Sequence, residues 1–355
     1  MIDLNKSKLL YNHFEELVGI PKQGLRVLAK INQTKIALNY VLEKGYNHWI
    51  ITFSGGKDST AAVVTSLETA LEHHRSLRRI DVIYADTQLE IPTIHKYALS
   101  FLNHLSRFFR LKKLPLHCHI VLPRVENRFW VLMLGKGYPP PHQRFRWCTR
   151  RLKIEPVEDK LRRFIQPDKT AIITGVRFGE SKNRDKGLAM SCKRGGECGQ
   201  GLWFQYSNRL KAGYLAPLID WNDCDVWDYL LLVAPSVGYP TAGLDKVYNG
   251  RETRFGCWMC TVVKQDRAME KTIAQPDWNH LAPLAEFRKY VWQITRSIES
   301  RRLRSDGQPG GLNHKVRKAL LERLMEVQAE VGIELVSKDE AYAIKHMWKE
   351  ELYNG

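Results

Sequence analysis

Short apolar runs alternate with stretches of helical spacing along much of the chain. Trp49–Phe53 is an apolar run bounded by turn residues, the pattern of a buried strand. Ser54-Gly55-Gly56 then makes a turn. Ala61–His74 follows with Val63, Val64, Leu67 and Leu71 on one side, which predicts an amphipathic helix. The alternation continues with a strand at Ile80–Ala85, a helix at Ile91–Phe109 and a weak strand at His119–Leu122. A helix at Lys153–Phe164 and a strand at Thr170–Gly175 complete it. Strands that alternate with helices imply crossover units and a mostly parallel, doubly wound α/β sheet. In such sheets ligands bind at the carboxyl ends of the strands.

Elsewhere the pattern changes. Residues 1–33 read as an N-terminal helical segment, with a helix at Thr34–Lys44 closing on Gly45. From Met190 to Gly201 the chain is rich in Gly and Cys and has no period. Asp220–Leu232 is amphipathic, capped by Asp220 or Asn222, and residues 240–265 are loop-like. Beyond Gln275 the spacing is helical over Trp278–Leu303, Asn313–Val331 and Lys338–Tyr353, broken by a turn or linker at Ser305–Gly311. This places an α/β domain at 34–266 and a helical C-terminal subdomain at 267–355.

The 355 residues, 44% of them hydrophobic, suffice for one large core or two smaller ones. No stretch approaches eighteen consecutive apolar residues, so no membrane span is expected. Asp3, Glu15 and Glu16 interrupt the first twenty residues, which argues against a secretory leader and for a soluble, cytoplasmic protein. Lys and Arg number 55 against 38 Asp and Glu, a formal charge of +17. A surface that basic attracts polyanions such as nucleic acid. The seven cysteines are an odd number, which points away from a disulfide framework and toward metal binding or catalysis.

Ser54-Gly55-Gly56-Lys57-Asp58-Ser59-Thr60 lies between a strand and a helix. Two glycines allow a sharp turn and close approach to a ligand. Amides at the helix start, with the helix dipole, favour an anion there. Ser54, Ser59 and Thr60 offer hydroxyls and Lys57 a charge, so the segment reads as a phosphate cradle. It is not a Walker loop, because Asp58 follows Gly56-Lys57 and position 51 is Ile. Asp86 ends the second strand as either a site carboxylate or a turn cap. The segment Gly175-Val176-Arg177-Phe178-Gly179-Glu180-Ser181-Lys182-Asn183-Arg184 also follows a strand, and its arginines suit phosphate. Arg144–Lys153 interleaves cations with Phe145 and Trp147, as an extended nucleic-acid strand would need. Cys148 among those cations is expected to have a depressed pKa. It reads as a persulfide carrier, a cluster neighbour or a half-buried thiol. Cys257 and Cys260 form a Cys-x-x-Cys pair, and Cys192 and Cys198 form a second. Four thiolates suit zinc or an iron–sulfur cluster, and the spacing does not choose between them. Cys118 and Cys224 read as buried structural thiols.

Ser-Gly-Gly-Lys-Asp-Ser resembles the loop of the ATP pyrophosphatase superfamily, which includes phosphoadenylylsulfate reductases, tRNA-thiolation enzymes and DNA phosphorothioation proteins. Tyr84-Ala85-Asp86-Thr87, Gly175-Val176-Arg177-x-x-Glu180-Ser181 and Cys148-Thr149-x-Arg151-Leu152-Lys153 are similar to further signatures of its reductase-like branch. Gly256-Cys257-x-x-Cys260-Thr261 adds to the likeness, which covers roughly residues 35–265 and is nearest to the DndC-like or SspD-like sulfur-incorporation proteins. The resemblance implies an adenine-nucleotide α-hydrolase-like fold and cleavage of ATP to AMP and pyrophosphate, with Mg2+. It further implies adenylation of a DNA backbone phosphate and sulfur supplied by a cysteine desulfurase, alongside other phosphorothioation-system proteins. It also implies a [4Fe–4S] cluster, with Cys192, Cys198, Cys257 and Cys260 as ligands and Cys148 as the alternative to Cys192. ATP contacts are expected from Ser54–Thr60, Asp86, Gly175, Arg177, Glu180, Ser181 and Arg184. Lys57, Asp58, Arg177 and Cys148 are the candidate catalytic groups. A true sulfate-nucleotide reductase would carry a C-terminal catalytic cysteine in Glu-Cys-Gly-Leu-His, and no cysteine follows Cys260. A tRNA-thiolation-like sulfurtransferase is the other relative in reaction type.

Overall fold

The computed structural model describes residues 22–180, 182–192, 196–199, 201–248 and 255–353. Residues 1–21 of the expected N-terminal helical segment lie outside them. The first described helix, α1 (Lys22–Glu43), is longer than expected at its N-terminal side. A seven-stranded sheet follows in the order β3-β2-β1-β4-β7-β6-β5. Its strands are β1 (His48–Phe53), β2 (Arg79–Ala85), β3 (Leu116–Val121) and β4 (Thr170–Ile173), then β5 (Glu197–Gly199), β6 (Leu202–Ser207) and β7 (Ala212–Leu215). β1 pairs parallel with β4, and β4 parallel with β7; β6 and β5 add antiparallel. The mostly parallel α/β fold is therefore as expected. The Gly- and Cys-rich stretch, which showed no period, holds a helix (Lys182–Cys192) and β5.

The chain forms two compact units, each discontinuous in sequence. The first contains residues 22–83, Ser100–His119 and Ile165–Leu244. The second contains Tyr84–Leu99, Ile120–Phe164 and the chain from Asp245 onward. Residue 266, where the sequence suggests a boundary, falls inside the second unit. In the first unit Trp49, Ile50 and Ile51 of β1 are fully buried, as are Ala61, Val63, Val64 and Leu67 of helix α2 (Lys57–Glu72). Burial on both faces explains why β1 reads as a continuous apolar run. In the second unit Trp130, Trp258 and Phe287 pack with ring centroids 6.0–6.4 Å apart. Its last helices, His314–Val331 and Lys338–Tyr353, match expectation. The expected helix Trp278–Leu303 does not run through: it is helical over Ala282–Ile294, and Arg301–Leu303 is strand β8, paired with β9 (Pro309–Leu312). The Ser305–Gly311 run, expected as a turn or linker, contains the turn of this hairpin. No helix among the described residues is long and apolar enough to cross a membrane.

One polar network crosses four neighbouring strands of the sheet. Asp81 on β2 is fully buried and accepts from His48 Nε2 of β1 at 2.6 Å and from His119 Nε2 of β3 at 2.7 Å. Arg79 donates to the same carboxylate from Nε and Nη2 at 2.7 and 3.0 Å. His48 Nδ1 lies 3.2 Å from Thr170 Oγ1 of β4. Burial alone would raise the Asp81 pKa, but the donors His119, His48 and Arg79 outweigh it and hold it well below the usual carboxylate range. A group depressed in the native state stabilises above its unfolded pKa of about 3.9 and loses that contribution as pH falls. Replacement of Asp81 by Ala should cost about 3–5 kcal/mol in urea unfolding at pH 7. The Asp81→Asn variant should show a flatter stability profile than the native chain from about pH 5 downward, because it lacks this titration.

Candidate nucleotide site and thiol cluster

The strand order reverses between β1 and β4, with β2 and β3 to one side and β7 to the other. Reversal of this kind opens a crevice at the carboxyl ends of the two central strands. Both loops singled out in the sequence leave the sheet there. After β1 the backbone turns through Gly55, at φ 77°, a left-handed conformation that suits glycine. Gly56 is the N-cap of α2, and no side chain caps it. The first-turn amides of a helix lack partners within the helix and so face whatever occupies the mouth of the turn.

The hydroxyls of this loop hold its shape. Ser59 Oγ donates to Gly56 O at 2.9 Å and accepts from Ser54 N at 3.1 Å. Ser54 Oγ lies 3.0 Å from Ser59 Oγ, and the fully buried Thr60 donates from Oγ1 to Gly56 O at 2.9 Å. Sequence reasoning assigned these hydroxyls to the ligand; in this structure they are engaged with the turn itself.

After β4 the chain passes Gly175 so near to α2 that a Cβ there would lie 2.7 Å from the Asp58 carbonyl oxygen. This close approach places Arg177, which is 4% exposed, over the loop. Arg177 Nε donates to Asp58 Oδ1 at 2.5 Å, Nη1 to Trp221 O at 3.4 Å, and Nη2 to Asp223. Lys57 Nζ is 3.0 Å from Asp58 Oδ2 and 3.4 Å from Asp223 Oδ1. Burial works against the Arg177 charge, but Asp58 and Asp223 outweigh it and raise its pKa. Burial likewise opposes Asp223 ionisation, and Lys57 and Arg177 overcome it, lowering that pKa. Asp223 was missed in the sequence. Its available signal was the cap it follows: Asn222 accepts from Asp225 N, and the Asp225 side chain accepts from Asn222 N. Of the remaining expected contacts, Glu180 is half-buried, Ser181 lies outside the described residues, and so does the side chain of Arg184.

The other candidates fall in the second unit. Asp86 gathers with Glu90 and His95, their ligand atoms all within 4.8 Å of one another. Asp86 Oδ1 accepts from Gln88 N at 2.8 Å, and Glu90 accepts from both Thr87 N and Thr87 Oγ1. This carboxylate–imidazole group has the donor set for a hard divalent cation. Asp86 is thus a turn cap whose carboxylate also faces Glu90 and His95.

Cys148, Cys257 and Cys260 are free and surround Lys153, whose Nζ is 3.9 Å from Glu90 Oε1. Trp258 N donates to Leu89 O at 2.9 Å, which ties the Cys-x-x-Cys turn to the Glu90 segment. The expectation for Cys148 is corrected: burial raises its pKa and outweighs the opposing Thr149 hydrogen bonds and the Lys153 charge. Burial pushes Cys257 up to about 12, with Lys153 pulling the other way. Trp147 is no stacking platform for a nucleic acid, since it is buried against Phe129 and donates to Pro139 O.

The thiol set also differs from the expected one. Cys257 and Cys260 stand with Cys148. Cys198, on β5 of the first unit, is bonded in a disulfide and in that state has no thiolate to offer. The side chain of Cys192 lies outside the described residues. The three gathered thiols spread beyond 4.8 Å. Cys224 is exposed, not the buried thiol expected.

The phosphoadenosine phosphosulfate reductase domain model matches residues 48–263. The chain belongs to this family. That match starts at β1 and ends just past the Cys-x-x-Cys turn, so the family region contains both the loop cluster and the three thiols. An uncharacterized protein of Methanocaldococcus jannaschii is 27% identical over 216 residues, 61% of this chain, and the chain spans only 36% of that relative's length. Phosphoadenylyl-sulfate reductase from Candida auris is 14% identical, with a TM-score of 0.37 over 63% of this chain and 88% of that one. FMN adenylyltransferase of Candida glabrata, in complex with FAD and inorganic pyrophosphate, is 17% identical, with a TM-score of 0.42 over 71% of each chain.

Within this family domain, Gly175→Ala forces β4 and α2 apart. In urea unfolding the variant should lose about 1–3 kcal/mol of stability, the usual cost of forcing extra atoms into a packed contact. In the metal-free, reduced chain at pH 7.5, iodoacetamide should modify Cys224 well before Cys257, as read by peptide mass spectrometry. The reverse order would contradict the burial and raised pKa of Cys257.

Proposed function

We propose that this chain binds ATP at the Ser54–Thr60 loop and cleaves it between the α- and β-phosphates, adenylating a backbone phosphate of DNA for sulfur incorporation. The observation that carries the reading is the Lys57–Asp58–Arg177–Asp223 cluster, set against the uncapped start of α2 at the sheet's switch point. The amides of α2 and the two cations would receive the β- and γ-phosphates, which leave together as pyrophosphate. A non-bridging oxygen of the acceptor phosphate would attack the α-phosphorus; the α–β bridging bond breaks and its electrons leave with pyrophosphate. Lys57 and Arg177 would stabilise the charge that grows on that leaving group. Asp58 would orient both cations and, with Mg2+, complete the phosphate site. A sulfur nucleophile supplied by a desulfurase partner would then displace AMP from the activated phosphate. Other phosphorothioation-system proteins would present the DNA. Cys148, Cys257 and Cys260 would hold a [4Fe–4S] cluster, which supplies redox or sulfur-handling chemistry when bound.

The test is product analysis with anaerobically purified protein, ATP, magnesium and DNA. AMP and pyrophosphate are the expected products. ADP and phosphate would refute the α–β cleavage. Lys57→Ala and Arg177→Gln should each reduce AMP formation by about 10²–10³-fold, the loss typical of removing one charge-stabilising donor.

A further inference from the structure

A cavity of about 570 Å³ lies in the second unit, beside the end of helix Ala282–Ile294 and the start of β8. Its size is that of a small-ligand pocket. It is lined by Trp292, Arg296, Arg301 and His142 among apolar and hydroxyl side chains, and by no carboxylate. Other arginines of this region are partnered: Arg302 and Arg317 pair with Glu351, and Arg288 donates to three backbone carbonyls. Arg301 differs. Its Nη1 is buried without a hydrogen-bond partner, and so is Trp292 Nε1. Burial lowers the Arg301 pKa, and no acidic neighbour offsets it. A half-buried cation without an anion marks a place where an anionic ligand gains more than it would at a solvated arginine.

The platform beside it is flat. The Arg296 guanidinium lies 3.8 Å over the centre of the Trp292 ring. The outer face of a stacked guanidinium accepts a nucleobase, and Pro141 and Ile298 supply apolar contact. Arg304, exposed on the same hairpin, continues the positive charge away from the cavity.

We infer that this pocket holds one unpaired nucleotide of a DNA strand, its phosphate on Arg301 and its base on the Arg296–Trp292 stack. A paired and stacked base cannot enter a cavity of this size, so the nucleotide must be out of the duplex. The inference rests on the reading of DNA as partner but does not depend on the ATP chemistry.

The test is fluorescence anisotropy of a labelled 20-nucleotide single strand, without ATP, across a salt series. Arg301→Gln should weaken binding about 5- to 100-fold and reduce the slope of log affinity against log salt by about one. Arg302→Gln should stay within about twofold of the native chain, because Arg302 already pairs with Glu351. Phenylglyoxal modification of the unaltered protein, read by mass spectrometry, avoids any folding defect of the variant: the single strand should protect Arg301. Unchanged affinity in Arg301→Gln together with unprotected Arg301 would overturn the proposal. Equal, equally Arg301-dependent binding of a fully paired duplex would overturn the unpaired nucleotide. If Arg301-dependent binding holds while the native chain forms no AMP, the adenylation reading fails and the pocket stands. AMP formation without Arg301-dependent binding means the opposite.

Discussion

The contact between Gly175 and the first turn of α2 is the constraint on which the loop site depends. At this point two backbone segments meet with no room for a side chain. The exit of β4 is thereby fixed against the exit of β1, and Arg177, two residues on, can reach Asp58 on one side and Asp223 on the other. Lys57 closes the group from the helix. Had either strand ended one residue later, the period-two alternation would have turned the following side chains away.

The sheet is held by polar groups at its two ends and by apolar packing between them. At the strand starts, Asp81 gathers His48, His119 and Arg79, while Thr170 joins through His48. At the strand ends, Asp58 and Asp223 gather Lys57 and Arg177. Asp81 is fully buried, whereas in the loop cluster Lys57 and Arg177 are buried and Asp223 is exposed; in both groups the carboxylates offset the desolvation of their buried partners. They differ in completeness. The Asp81 network lies inside the sheet and is satisfied by protein atoms. The loop cluster lies over an uncapped helix start, where a ligand can compete for its members.

The parts of the fold written in repeating apolar patterns were legible. The runs at Trp49–Phe53 and Ile80–Ala85 and the helical spacing of Ala61–His74 all became elements close to the expected bounds. β6 and β7 were not read, because Leu202–Ser207 and Ala212–Leu215 are short and mix polar residues and glycine into their runs. β8 was read as the end of a helix because three residues, Arg301–Leu303, are too few to show a strand's alternation against the helical spacing that precedes them. In the site, the glycine-rich loop announced its own chemistry. Asp223 did not, being carried by a separate segment after β7. The pKa direction of Cys148 was misjudged because the neighbouring charges are visible in sequence and the burial is not.

The charges of the loop cluster cancel. Lys57 and Arg177 bring two positive charges, and Asp58 and Asp223 bring two negative ones. The side chains thus present a phosphate with almost no net field, and the attraction left is that of the α2 amides and dipole. A bare nucleotide triphosphate, with several negative charges, would meet two carboxylates on arrival. A nucleotide already carrying a divalent ion would not, since the ion answers those carboxylates while the phosphates take the two cations. On the proposed reading of this loop as the ATP site, the neutral cluster would favour the metal complex over the free anion.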